Sequence, residues 1–416
     1  MPGASRQLTP ATTIAPTRRL ISPGNIAFLA VLASGFAHLA MQFAPRPWSA
    51  LGHIDIAQLL AATPIFQSHW PYWTFRFEYH PVIGWGSALL SYGPAELITI
   101  ISAWLVVMAL CARSAASLLA ERVGSRNAIV FWSLSPQLLL FSGKNFDALA
   151  VLTLLFATTA LSQGREVRAG VSIAIGTATK LFPAIALPPY VLSLWRSGAR
   201  RRMLALLVGA GVALAILDVP AIVAPYSLLA YGVSPYGVAS WNIDSIWFAA
   251  AVTLGPFLSL GALDTLVTGV SIIGLALSYF VWVLLPAYRG KDPEQAAWLG
   301  VALLVFWTRL RSVQYAMWLL PLFALYVRDA RLMWAMFVGD AAAFAGVFLL
   351  RGAPSEAPAP DAYTLYGLIL FGVVVRQLAM VRLIRAVIAR SNGTAATGRA
   401  ASPSSAPTHS PSMTRP

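Results

Sequence analysis

Across 416 residues the chain is 58% hydrophobic and only 11% charged, with a mean hydropathy of +0.70. Soluble domains carry about 25% charged residues, so too few charges are present to cover a water-facing surface. This excludes a soluble enzyme, a disordered chain and a disulfide scaffold. The net charge of +14 imitates a nucleic-acid binder, but in a membrane protein such an excess marks cytoplasmic loops. No nucleic-acid partner is expected.

Only helices and closed barrels satisfy every backbone group in lipid, and the apolar runs here are continuous rather than alternating, which argues against a barrel. The fold expected is therefore an all-α polytopic membrane protein of about ten to twelve spans, at about 20 residues per crossing. Residues 1–23 are rich in Ser, Thr, Pro and Ala and read as a disordered cytoplasmic tail. Ile26–Phe43 lacks a convincing cleavage site and reads as an uncleaved first span. Pro45–His80 then forms a long outer segment, within which Ile54–Leu60 has apolar residues at helical spacing and is expected to lie along the membrane surface. Pro81–Tyr92 is apolar but short, so it is expected to dip in from outside without crossing.

Further apolar runs follow at Ala95–Ala112, Ala128–Phe141, Ala148–Leu161, Gly170–Leu194, Met203–Ala224, Leu266–Pro286, Ala296–Trp307, Ala316–Val327, Leu332–Leu350 and Thr364–Val381. Gly170–Leu194 holds Lys180 and Pro183 at its middle, and reads as a re-entrant hairpin of two short helices. Basic residues orient the chain: the N-terminal tail, Arg113–Arg126, Arg165–Arg168, Arg196–Arg202, Arg289–Lys291, Arg328–Arg331 and the stretch from Arg382 onward are placed inside. Residues 24–390 form the membrane domain, and 391–416 a second disordered tail, with both termini cytoplasmic.

That topology leaves a set of polar groups outside. Asp55 sits on the first turn of the surface helix, either as its cap or as a working carboxylate. Glu78, Tyr79 and His80 follow before Pro81, and Lys144, Asn145 and Asp147 fall between two spans. Lys180 is at the hairpin tip; Arg309, Arg311, Gln314 and Tyr315 lie between two more spans. The chain has three lysines, and two of them stand at these turns. Ionisable groups at or below the membrane surface are costly and point to function. Lys144 has Asp147 nearby as an internal partner; Lys180 has no local acid. Trp241 and Asp244 lie in another outer stretch, as sugar contacts or interfacial aromatics. No phosphate-binding glycine loop, metalloprotease motif or serine elbow is present. His53-x-Asp55 offers two metal ligands without a partner cluster, and neither a metal nor a cofactor is expected.

Five segments occur in order: His53-Ile54-Asp55-Ile56, Phe77-Glu78-Tyr79-His80-Pro81-Val82, Asn145-Phe146-Asp147-Ala148-Leu149-Ala150, Thr179-Lys180-Leu181-Phe182-Pro183 and Gln314-Tyr315-Ala316-Met317-Trp318-Leu319-Leu320-Pro321. The series resembles the actinobacterial glycosyltransferase 87 family, relatives of which include polyprenyl-phosphate-mannose-dependent mannosyltransferases. The resemblance covers roughly Gly52 to Leu350. It departs from the family pattern at His80, at Val313 where proline is common, and at Thr308-Arg309 where an Asn-Lys pair is frequent.

The resemblance implies a GT-C-type bundle, an aspartate base in the first outer loop, and a polyprenyl-phosphate sugar as donor. Asp55 matches that aspartate. The reaction expected is inverting transfer of a sugar, mannose first among candidates, to a hydroxyl of a membrane lipid or glycan acceptor at the outer face of the plasma membrane. Lys180, Arg309 and Arg311 are expected to hold the departing phosphate, with Gln314, Tyr315, Asn145, Asp147 and Lys144 also on the donor side. Glu78, Tyr79, His80, Trp241 and Asp244 are expected to contact sugar or acceptor. The rival class is a transporter or flippase of a lipid-linked sugar; such proteins often show matching halves, and no second copy of the Asp55 loop or the Lys180 hairpin is found.

Overall fold

The computed structural model describes residues 22–46, 48–61, 63–67, 70–77, 79–91, 96–227, 242–352 and 359–400. In chain order the helices are α1 Pro23–Met41, α2 Asp55–Ala61, α3 Pro81–Leu90, α4 Leu97–Val123, α5 Pro136–Phe141, α6 Asp147–Ser162, α7 Glu166–Thr177, α8 Leu187–Arg196, α9 Arg200–Ile222, α10 Ile246–Leu254, α11 Leu260–Tyr279, α12 Pro293–Trp307, α13 Ala330–Gly352 and α14 Ala359–Ala400. Single turns join some of them. Among the described residues the only extended pairing is an isolated bridge between Pro71 and Phe75.

Local sequence sets several helix starts. The Ser22 hydroxyl accepts from Asn25 N and Pro23 takes the first helical position of α1, where a missing N–H costs nothing. Ser135 and Pro136 open α5 in the same way, and Asp292 with Pro293 opens α12, its carboxylate accepting from Glu294 N at 2.9 Å.

Among the described residues six helices are long and apolar enough to cross a bilayer: α1, α4, α9, α11 with its continuation to Tyr288, α13 and the Ala362–Arg390 part of α14. A seventh is a pair, Pro136–Lys144 and Asp147–Ser162, bent by 116°. The expected ten to twelve spans are thus not all continuous helices. Ala128–Phe141 is interrupted where Ser135 and Pro136 end one turn and start another, because proline disfavours a helical residue before it. Gly170–Leu194 divides into α7 and α8 around a turn at Lys180. Proline there removes a backbone donor. The segment Pro81–Tyr92 yields the ten-residue α3, about half of what a crossing needs. Of the expected tails, residues 1–21 and 401–416 lie outside the described set, whereas α14 continues past Ser391 to Ala400.

Lipid-facing and buried helices separate clearly. α9 presents Val208, Val212 and Ile216 outward, and α11 presents Ile272, Ile273 and Leu277. α13 and α14 pack on each other so closely that a Cβ on Gly372 would sit 2.5 Å from backbone atoms of Gly339 and Ala343. Small residues permit such approach where lipid gives no hydrophobic drive for helix association.

The two ends of the bundle differ. At one end the basic turns meet: Arg122 binds Glu294 through two 2.6 Å bonds, Arg202 binds Glu166, and Gln295 reaches Val387 O at 2.8 Å. At the other end the starts of α2, α3 and α6, the Lys180 turn and residues 308–318 converge. Val82 N donates to Ala178 O at 3.0 Å, docking the first turn of α3 on the hairpin tip.

Candidate active site

Asp55 is the first residue of α2. Its neighbours Ile54 and Ile56 are buried and hold the turn against the bundle. One carboxylate oxygen receives His53 Nε2 at 2.7 Å, and the other accepts the Gln314 side-chain N–H at 3.0 Å. Ser312 Oγ donates to the Gln314 carbonyl oxygen, which orients that amide. No α2 backbone N–H bonds to the carboxylate, so Asp55 is not spent as a cap. Burial pushes its pKa up, but the charge of Lys144, the His53 hydrogen bond and charge, and the charge of Lys180 together hold it below the usual carboxylate range. Asp55 is therefore an anion at neutral pH.

A second carboxylate lies deeper. Asp147 is fully buried at the start of α6; its Oδ1 lies 3.3 Å from Lys180 Nζ and accepts Trp318 Nε1–H at 2.8 Å. Asn145 Oδ1 accepts from Asp147 N at 3.0 Å, and the Asn145 amide donates to Phe141 O. The Lys180 ammonium lies 5.4 Å from the Tyr79 ring and 5.6 Å from the Tyr315 ring. Trp318 stacks between Tyr315 at 3.9 Å and Phe182 at 4.1 Å. Four of the five sequence segments meet in this cluster. The absence of a local acid for Lys180 is made good by a distant one, and Asp147 serves Lys180 rather than Lys144.

Lys144 is left without a carboxylate in salt-bridge range among the described residues. It is 1% exposed, with its ammonium 4.5 Å from the Phe344 ring and 5.1 Å from that of Phe348. Its turn is pressed on α1: a Cβ on Gly143 would lie 2.2 Å from Gly35 N, and Gly143 N donates to Ser34 Oγ at 3.2 Å. Lys144 and Asp55 line one cavity of about 100 Å³, together with His53, Asn242, Asp244, Ser312, Gln314, Phe344, Phe348 and Arg351. A wider cleft of about 730 Å³ adjoins it, sharing His53, Phe348 and Arg351 and adding Gln42, Arg46 and Ser49.

The two loop arginines do not line that cavity. Arg311 is 1% exposed and lies 3.7 Å from Asp340, which Arg376 also approaches at 3.4 Å. Arg376 further donates to Asp244 O, Asn242 donates to Arg311 O at 2.7 Å, and Asn242 N donates to Arg309 O at 3.0 Å. Arg309 itself reaches Asp264 at 3.7 Å and the Thr268 hydroxyl. These charges brace the loop bearing Gln314 and the strip bearing Asp244 against α11, α13 and α14.

His80 caps the start of α3 without a side-chain bond; burial and the charge of Lys180 push its pKa down to about 4, so it is neutral. Tyr79 packs edge-on against Phe146. Asp244 is buried on the cavity wall, and burial raises its pKa. Glu78 and Trp241 lie outside the described residues. Arg351, Asn242, Phe344 and Phe348 were not anticipated as cavity residues. Asp340 and Arg376 carried a readable signal, each being a charge inside an apolar run.

Comparison with known families matches residues 82–312, more than half of the chain, to glycosyltransferase family 87. Among curated proteins nothing matches the chain. Asp55 precedes the matched segment, whereas Lys144, Asp147, Lys180 and Ser312 fall within it and Gln314 stands two residues beyond. With an all-helical membrane bundle and a matched stretch of this length, the chain belongs to glycosyltransferase family 87 and is a membrane glycosyltransferase.

Proposed function

We propose that the protein transfers a hexose, mannose first among candidates, from polyprenyl phosphate to a hydroxyl of a membrane lipid or glycan at the extracytoplasmic face of the plasma membrane, in a direct, inverting, metal-independent step. The observation that carries this reading is one cavity holding an anionic, bonded Asp55 and an ammonium, Lys144, with no carboxylate in salt-bridge range among the described residues.

A hydroxyl is a weak nucleophile, so its proton must leave as it attacks. Asp55 takes that proton; the acceptor oxygen bonds to the anomeric carbon from the face opposite the leaving group. The bond from that carbon to the phosphate oxygen breaks, and its electron pair departs with polyprenyl phosphate. Negative charge grows on the phosphate as positive charge spreads over the sugar ring, and fixed cations meet it without reorganising. Lys144 supplies a point charge and Arg351 a two-pronged donor. His53 and Gln314 hold the carboxylate in place. Lys180, engaged by Asp147, braces the hairpin tip, and Arg309 and Arg311 brace the loop behind Gln314. The acceptor enters from the wider cleft. The outward orientation of this end is supported by the gathering of basic turns at the opposite one.

The test is incubation of the purified protein in liposomes with radiolabelled polyprenyl-phosphate mannose and membrane acceptors, with products identified by mass. Formation of an α-linked product from a β-linked donor supports the reading. Movement of the donor across the bilayer with no sugar transfer makes the protein a flippase and overturns it.

A further inference from the structure

The structure also points to a berth for the donor's lipid chain: we infer that the groove between α1, α5 and α13 holds the first isoprene units of polyprenyl phosphate. The inference rests on the donor class proposed above. The groove has a volume of about 320 Å³ and is lined by Ala37, Met41, Leu51, Leu139, Leu140 and Phe344, among others. Ala37 and Leu139 are exposed on apolar helices, so its mouth opens to lipid. The titratable group in its wall, His38, has both ring nitrogens on backbone carbonyls, Leu51 O at 3.1 Å and Leu140 O at 2.7 Å. Its polarity is thereby turned away from the groove.

The occupant follows from what lies at the inner end. Phe344 belongs to the walls of both this groove and the Asp55 cavity, and the Lys144 ammonium sits 4.5 Å from its ring. An apolar groove open to the bilayer, separated by the Phe344 side chain from a cavity that holds a buried ammonium, fits a molecule with a hydrocarbon chain and one anionic head. A cavity of about 150 Å³ accepts a benzene ring, so this groove has room for on the order of two isoprene units. The remainder of the chain would lie in the bilayer.

The experiment uses the full-length protein in liposomes and a polyprenyl phosphate bearing a photoreactive diazirine in its first isoprene units. Labelling of α1, α5 or α13 peptides at Ala37, Leu139 or Phe344 is expected, competed by unlabelled polyprenyl phosphate and not by phospholipid. Ala37→Trp, which fills the groove away from the reacting groups, is expected to raise KM for the full-length donor about tenfold. Its KM for acceptor and its kcat are expected to remain unchanged. Labelling confined to other helices while sugar transfer proceeds overturns the groove assignment and leaves the proposed reaction standing. Equal competition by phospholipid also overturns it. Absence of labelling together with absence of transfer from any polyprenyl-phosphate sugar overturns both. Because labelling is read on the unaltered protein, a Trp variant that fails to fold does not shield the inference.

Discussion

Gln314 donates its side-chain N–H to Asp55 Oδ2 at 3.0 Å, although 259 residues separate the two in sequence. The bond closes one side of the cavity and leaves the carboxylate held by two donors, His53 on one oxygen and Gln314 on the other. A carboxylate held this way is already oriented before an acceptor arrives, which is what the proposed base role requires.

Asp55→Asn keeps the size and the Gln314 contact within reach but removes the proton acceptor. Transfer is expected to fall by at least about a hundredfold, with the protein still monodisperse by size-exclusion chromatography. A transfer assay with radiolabelled donor measures it, and turnover near that of the unaltered protein assigns the base elsewhere.

The pH profile follows from the electrostatics of the same group. Its pKa in the folded protein is depressed, so the base form is present at neutral pH and is lost only as pH falls below the ordinary carboxylate value of about 4. The acid limb of kcat/KM is therefore expected there. Lys144→Met removes the strongest of the influences that lower this pKa and leaves burial less opposed, so the limb moves to higher pH. His53→Gln moves it the same way by less. A limb that stays in place in Lys144→Met breaks the electrostatic link between the two residues.

Asp147 and Lys180 form a pair in which the carboxylate is fully buried and its second oxygen lacks a partner among the described residues. Lys180→Met alone strands that carboxylate and is expected to cost about 3–5 kcal/mol, read as a lower midpoint of thermal unfolding. Lys180→Met with Asp147→Asn removes both charges and is expected to recover part of the loss. Additive destabilisation in the double variant contradicts the pairing.

Gly143→Ala tests how Lys144 is aimed. The added Cβ meets Gly35 backbone atoms at 2.2 and 2.5 Å, and backbone cannot swing aside as a side chain does. A loss of about 1–3 kcal/mol is expected, together with a higher KM for donor as the Lys144 turn lifts from α1. Thermal unfolding and donor kinetics measure the two effects.

Much of this architecture is local and was legible along the chain. Ser22-Pro23, Ser135-Pro136 and Asp292-Pro293 open helices because a side chain and a fixed φ act within one turn, yet a reading by apolar runs starts the first span later, at Ile26, and passes through Ser135-Pro136 without a break. The break around Lys180 and Pro183, the shortness of α3 and the start of α2 at Asp55 follow from similar short-range rules. The count of continuous spans was less legible, since a run of apolar residues shows neither where the backbone bends nor by how much; the 116° bend between α5 and α6 depends on packing.

Composition determined that this is a membrane protein, because 11% charged residues cannot clothe a soluble surface, and the continuous apolar runs made it helical rather than a barrel. Residue order marked Asp55, Lys144, Asp147 and Lys180 as groups that lipid would penalise. Which cation answers which anion was decided by tertiary structure: Asp147 meets Lys180, Asp340 meets Arg311 and Arg376, and Lys144 is left facing the cavity with Asp55. Coulomb energy depends on separation in space, and separation between residues on different helices is set by how those helices rotate and approach, down to single glycines such as Gly143 against Gly35.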